Sequence, residues 1–170
     1  QGWDVTLLER AHFPRYHIGE SLLPSILQIL DLLGAREKME GMGFQRKQGA
    51  YLEWGAERWG LNFGELSGNC SYAFQVERAE FDKMLLDHAT SEGVKVFEGA
   101  EVESLTFDGD RPCSARWVMK SEGSNGNGDG NGRGAAVMQG EIAFDYLVDA
   151  SGRSGIMATR YLQNRKYHKV

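Results

Sequence analysis

Nothing in the 170 residues approaches the apolar run of ~20 residues that a membrane-spanning helix needs, and no signal peptide opens the chain. Positive charge is not in excess. Nineteen Lys and Arg against 24 Asp and Glu give a net charge of −5, which argues against nucleic acid or an anionic membrane as partner. Cysteine is scarce: Cys70 and Cys113 lie far apart without CxxC spacing, so neither a zinc motif nor a disulfide framework is expected, and idle thiols in a cytoplasmic setting are. Asn69-Cys70-Ser71 fits the glycosylation pattern, but nothing else points to secretion, so it carries no weight. A P-loop is also missing. Ser121 to Gly134 holds six glycines but has no Lys-Ser/Thr ending and no strand-turn-helix context, so it reads as a flexible hairpin tip. The chain has no initiator Met, enters a strand within three residues and stops in "NRKYHKV", which reads as an internal piece of a longer protein.

What is present suits an ordinary soluble protein with one good-sized core: 41% apolar and 25% charged residues. Asp4 to Leu8 reads as a buried strand ending in Glu9-Arg10. Leu22, Ile26, Ile29, Leu30 and Leu33 fall at helical spacing, with Pro24 in the first turn and Gly34 placed to cap the end. "GAYLEWG", "RWGLNFG" and "YAFQVER" alternate like strands of a second sheet. Phe81, Met84, Leu85, His88 and Ala89 mark a helix from Arg78 that Gly93 closes. "VKVFEG", "EVESLTFDG" and "SARWVMKS" read as one meander. "FDYLVDASGRSG" reads as a further strand running into a glycine turn and a helix from Ile156. Parallel-type and antiparallel pieces share one chain, which predicts an α/β layer with an antiparallel sheet inserted.

Three places carry chemistry-bearing residues. Glu9 ends the first strand, where a dinucleotide fold places an acid that accepts hydrogen bonds from a ribose; alone, it is a strand-end surface acid. Asp149-Ala150-Ser151-Gly152 ends the last strand with a glycine that admits a close backbone approach, ahead of a helix N-terminus. "FPRYHIGESLLP", Phe13 to Pro24, mixes aromatics, basic groups and a Gly-Glu-Ser turn before a leucine-rich helix, as suits a segment laid along a planar ligand. His12 and His17 have no third metal ligand at sensible spacing.

Taken together, "DVTLLER", "FPRYHIGESLLP", "FQVERAEFDKMLLDHA" and "YLVDASGRSG" occur in the order and separations of flavin-dependent halogenases, within the wider FAD monooxygenase group. "PRYHIGESLLPS", "GFQRKQGA" and "DASGRSGIMATRYLQNRKY" most resemble the fungal branch that acts on phenolic and polyketide aromatics. The resemblance spans nearly the whole chain. It implies a partial FAD-binding dinucleotide-type domain over residues 1–170, with an inserted antiparallel sheet or meander and with the glycine fingerprint outside the chain. It implies FAD, supplied as FADH2 by a separate reductase, with chloride and O2 as co-substrates and a small aromatic as substrate. Ile18, Gly19, Glu20 and Ser21 then line the flavin, and Ser21 is also able to cap the following helix. Glu9 and Arg10, Gln75 and Arg78, and Asp149 and Gly152 complete the implied cofactor set, Arg78 meeting pyrophosphate or ribitol with its fork.

Lys47, in "GFQRKQGAY", is the expected catalytic residue. The resemblance implies a flavin hydroperoxide that chloride attacks to give hypochlorous acid, which a lysine steers as a hydrogen-bonding ammonium or as a chloramine. Both roles need a compact donor of adjustable pKa, which excludes Arg46. The tryptophan-chlorinating branch carries its lysine further on, in a strand that here reads "AYLEWG" without Lys, which favours the phenolic branch. An aromatic hydroxylase of the same superfamily and a non-catalytic piece are the alternatives, and this stretch alone is expected to be inactive.

Overall fold

The computed structural model describes residues 2–66, 71–120, 137–164 and 166, and the chain divides into two compact units, residues 1–100 and 101–170. The first unit runs β1 (Thr6–Glu9), α1 (Ser25–Leu33), α2 (Arg36–Gly41), β2 (Gln45–Lys47), β3 (Gly49–Trp54), β4 (Glu57–Asn62), α3 (Phe63–Leu66), β5 (Ala73–Gln75), α4 (Arg78–Ser91) and β6 (Lys95–Glu98). The second holds a three-stranded sheet in the order β7 (Ala100–Asp108), β8 (Arg111–Lys120), β9 (Val137–Ala143), then a short π-helix, Met157–Tyr161. Among the described residues no helix is long and apolar enough to cross a membrane.

β1 and β6 pair in parallel, from Thr6 opposite Lys95 to Glu9 opposite Glu98. A parallel pair needs a long crossover, and everything from α1 to α4 lies within it. "VKVFEG" is therefore not part of the meander: only β7, β8 and β9 form one. A local alternating pattern reads the same in both settings, so the pairing partner was hidden in it. β3 and β4 form a hairpin, and the expected third member of that sheet, β5, pairs instead with β2. The tip at 121–134 lies outside the described residues; the strands on either side of it pair antiparallel.

One core holds the first unit together. Leu27 and Leu30 of α1, Ala35, Met39 of α2, Phe74, Val76, and Phe81 and Met84 of α4 form a single buried cluster. Helix α1 ends as expected, with Gly34 at φ 70° donating to the Leu30 and Asp31 carbonyls. Its buried stripe is Leu27 and Leu30, whereas Ile29 and Leu33 are each half exposed, so the expected stripe was turned toward the wrong flank. Ser21 caps nothing: the N-cap position is Pro24, and Ser21 forms a β-bridge with Gln75 instead. His88, buried on α4, accepts from Lys38 Nζ at Nδ1 (2.8 Å) and donates from Nε2 to the Leu33 carbonyl (2.8 Å). An ammonium only donates and a carbonyl only accepts, so His88 is the neutral Nε2–H tautomer, tying α4 to α1 and α2.

The expected strand over Phe144 to Asp149 does not form. β9 ends at Ala143, and Tyr146 to Ala150 have no ladder partner among the described residues. Val148, which a buried strand would cover, is 86% exposed. A strand persists only where a neighbour takes its backbone groups, however apolar its side chains. The turn beyond it does form, and the expected helix from Ile156 is the π-helix.

A polar network fixes β2 and β5 against the helices. Arg36 donates from Nε to Glu40 (2.8 Å), from Nη1 to Asp31 (3.1 Å) and from Nη2 to the Tyr72 hydroxyl (2.8 Å). Tyr72 donates to Glu40 (2.5 Å), Arg46 also donates to Glu40, and the Arg46 guanidinium lies 4.7 Å over the Tyr72 ring. The Tyr72 hydroxyl, followed by Arg36, holds the Glu40 carboxyl below its ordinary value. In the intact protein, Tyr72→Phe keeps the edge-on contact with Phe74 and loses two hydrogen bonds. It should cost about 1–2 kcal/mol, read as a melting temperature lower by a few degrees. An unchanged melting temperature would remove the network from the account. Because the Glu40 value is lowered by folding, its contribution is present above pH 4.5 and lost as pH falls through the lowered value. The deficit of Glu40→Gln should therefore vanish in acid.

Candidate functional site

The site face is set by a pleat. β5 pairs antiparallel with β2 on one side, Lys47 opposite Ala73, Arg46 opposite Phe74 and Gln45 opposite Gln75. On its other side it takes the segment Glu20 to Leu22: Leu22 N donates to Phe74 O (3.0 Å), Val76 N donates to Glu20 O (2.8 Å), and Ser21 bridges Gln75. Side chains alternate across a strand. Arg46, Tyr72 and Phe74 thus go to the network face, and Lys47, Ala73, Gln75 and Ser21 to the other. A slip of one residue would exchange Arg46 for Lys47.

On that second face Lys47 is half buried, its Nζ 5.9 Å from the centre of the Phe63 ring and donating to Ser21 Oγ. Burial lowers its pKa below that of an ordinary lysine, since a desolvated ammonium is disfavoured. The result is an amine with one hydroxyl partner and enhanced access to its neutral form.

Beside it lies an open cleft of about 550 Å³ between Pro14 to His17 and the stretch Gln75 to Ala79, with Glu20 on its wall. Gln75 and Glu20 face each other (Nε2 to Oε2, 3.4 Å). Arg78, in the first turn of α4, forks onto Asp82 from Nε (2.8 Å) and Nη2 (2.9 Å) and donates from Nη1 to the carbonyls of Ile18 (2.8 Å) and Gly19 (3.4 Å). The fork thus pins the loop. Gly19 sits at φ 104°, and a Cβ there would stand 3.1 Å from Arg78 Nη1, so glycine is needed for both backbone and space. Ile18 is largely exposed beside it.

Glu9 borders this cleft through Arg15, whose Nη2 lies 4.0 Å from Glu9 Oε2, while Glu9 Oε1 accepts from Ala11 N (2.8 Å). Arg15 also lies 4.7 Å over the Phe13 ring. Arg10 is exposed beyond the strand end and is not part of the cleft wall. His12 is 4.0 Å from Glu98, and the described residues contain no cluster able to hold a metal. In the second unit, Asp149 accepts from Ser151 N (3.0 Å) and Oγ (2.5 Å) and from Met157 N (2.8 Å), which holds its carboxyl below the ordinary value, the Ser151 hydroxyl first. Its carboxylate caps the π-helix, leaving the backbone of the turn, with Gly152 at φ 62°, as the surface on offer.

Lys47, Ser21, Gln75, Glu20, Gly19, Ile18 and Arg78 are thus brought together in the first unit, with Glu9 at the edge. Sequence reasoning missed Arg15 and Tyr16 in the cleft wall, although both stand in the segment that drew attention. It also missed the Arg36–Glu40–Tyr72 network, of which only the i,i+4 spacing of Arg36 and Glu40 was a visible signal.

Comparison with known proteins agrees with this assembly. The sequence model of the tryptophan halogenase family matches residues 1–71 and 65–169. The chain is 50% identical to the tryptophan 2-halogenase of Chondromyces crocatus and 44% identical to the flavin-dependent halogenase armH3 of Armillaria mellea, covering 100% and 99% of itself but 30% and 31% of those proteins. Among solved structures, the myxobacterial chondrochloren halogenase CndH, described as a variant of FAD-dependent halogenases, is 41% identical with a TM-score of 0.65, over 69% of this chain and 28% of that one. The chain spans under a third of these relatives' length. It belongs to the tryptophan halogenase family, the flavin-dependent halogenases.

Proposed function

We propose that the intact protein is an oxidoreductase that halogenates, by chlorination, an electron-rich phenolic or polyketide aromatic, using FADH2 from a separate reductase together with halide and O2. The observation that carries this reading is the half-buried Lys47 amine, held by Ser21 on the sheet face that adjoins the Gly19–Arg78 cleft. The cleft suits a flavin dinucleotide: it is long, open and rich in donors, with Arg15, Gln75 and Arg78 along it and a glycine where a side chain would intrude. Ile18 to Ser21, Gln75 and Arg78 would hold the cofactor there, Arg78 chiefly by fixing the loop. Glu9, Arg10 and the turn Asp149 to Gly152 are its proposed further contacts. When bound, reduced FAD activates O2 and, with halide, supplies hypohalous acid.

Lys47 then directs that oxidant. As a neutral amine it takes the halogen: an Nζ–Cl bond forms while the O–Cl bond and one N–H bond break, and water leaves. The ring carbon next bonds to chlorine, the N–Cl pair returns to nitrogen, and the ring proton is lost. As an ammonium it instead donates a hydrogen bond to the oxidant's oxygen as the ring attacks chlorine. The lowered pKa favours the amine. The absence of a lysine from β3, Gly49–Trp54, supports a phenolic substrate. The relative named tryptophan 2-halogenase supports a second reading, an indole.

In the full-length enzyme, Lys47→Ala should abolish halogenated product while FADH2 oxidation continues and free hypohalous acid appears in solution. Lys47→Arg should fail alike, because a guanidinium does not shed its proton. Normal product from Lys47→Ala would refute the lysine's role, and hydroxylated product from the wild type would refute halogenation. Parallel assays on a resorcinol and on tryptophan decide the ring class; the phenol should be preferred. Halogenation per flavin oxidised should rise with pH through the lowered Lys47 pKa, since the neutral amine is the working form; a fall would assign the ammonium. Gly19→Ala should lower FAD retention, measured by flavin absorbance after gel filtration. Full retention would exclude the cleft as the flavin site.

A further inference from the structure

Lys47 Nζ and Ser21 Oγ meet across β5, from the two strands that flank it. The meeting is not the chance fold of two loose side chains. Ser21 has its backbone fixed on both sides, by Leu22 N to Phe74 O (3.0 Å) and Val76 N to Glu20 O (2.8 Å), and lies two residues from Gly19, which Arg78 clamps. Lys47 follows Arg46, which the Glu40–Tyr72 network anchors on the opposite face. Both ends of the contact are therefore held by their own strands. A four-carbon lysine stem has many rotamers, and confining its head needs a fixed acceptor. Nothing acidic performs that task here: the hydrogen-bond partner of Lys47 is this hydroxyl, which leaves the amine's proton count free to change. A carboxylate in its place would lock the ammonium.

We infer that Ser21 is a positioning residue for Lys47, its hydroxyl accepting a hydrogen bond from Nζ and so fixing where the steering amine stands relative to the cleft. This rests on the reading of Lys47 given above. Ser21 thereby joins the flavin-side loop to the halogen-directing amine, so that the loop that borders the cofactor also sets the lysine.

The test uses the full-length enzyme with Ser21→Ala, Ser21→Thr and Lys47→Ala, measuring halogenated product per FADH2 oxidised, its pH profile, oxidant escaping to a chlorinatable trap, and FAD affinity. Ser21→Ala should lower product per flavin about tenfold, the scale of one hydrogen bond to a charged or ionisable head group, with more oxidant trapped and FAD affinity unchanged. Its pH midpoint should move down, because the ammonium loses an acceptor. Ser21→Thr, which keeps the hydroxyl and suits a strand position, should restore most of the yield. Ser21→Ala with wild-type yield and pH midpoint, alongside an inactive Lys47→Ala, would overturn the role of Ser21 and leave that of Lys47. A yield loss that merely tracks weakened FAD binding, or that Ser21→Thr fails to rescue, would overturn it too. A Lys47→Ala enzyme that halogenates normally would overturn the lysine reading itself.

Discussion

The register of β5 between β2 and the Glu20–Leu22 segment is the constraint on which the site depends. Three residues, Ala73 to Gln75, have partners on both edges. Their alternation sorts every nearby side chain to one of two faces. Phe74 enters the core and Tyr72 joins the ionic network, while Ala73 and Gln75 turn toward Lys47 and Ser21. So short a strand cannot define its own register through burial alone. The network supplies what is missing: Arg46 is tied to Glu40 and stacked on Tyr72, and a shift by one residue would break both contacts and bury the wrong cation. Structural and chemical residues are thus neighbours in sequence and opposites in space.

This division explains what was legible beforehand. Elements with their own periodicity were readable: α4 closed by Gly93, α1 capped by Gly34, and the strand ending at Glu9. Pairing between distant segments was not. β6 looked like its meander neighbours because alternation does not reveal whether the partner is β1, 90 residues upstream, or the next hairpin arm. Phe144 to Asp149 has strand composition, and only the absence of a ladder neighbour keeps it irregular. Lys47 was legible through family resemblance and through the need for an adjustable donor. Ser21 was legible as a flavin-side residue, but its contact with Lys47 joins positions 26 apart through a third strand.

The polar residues marked out by the sequence also divide by how much of their bonding is already engaged within the chain. Arg78 gives its fork to Asp82 and the loop carbonyls, Asp149 caps the π-helix, and Glu9 holds Ala11 N. These groups shape backbone that a cofactor would meet. Lys47 differs, since one hydroxyl is its hydrogen-bond partner and burial keeps its charge negotiable. Shaping groups need fixed protonation; a group that handles a reactive halogen needs the opposite.

The central claim is that the pleat, and not mere proximity of a lysine, places the halogen-directing amine. The most direct measurement is product per flavin oxidised for the full-length double variant Arg46→Lys and Lys47→Arg, which keeps composition and charge and moves the amine by one residue. The account predicts no halogenated product, with FAD binding retained, because Lys at 46 faces Glu40 and Arg at 47 cannot shed its proton. Halogenation near the wild-type yield would contradict it.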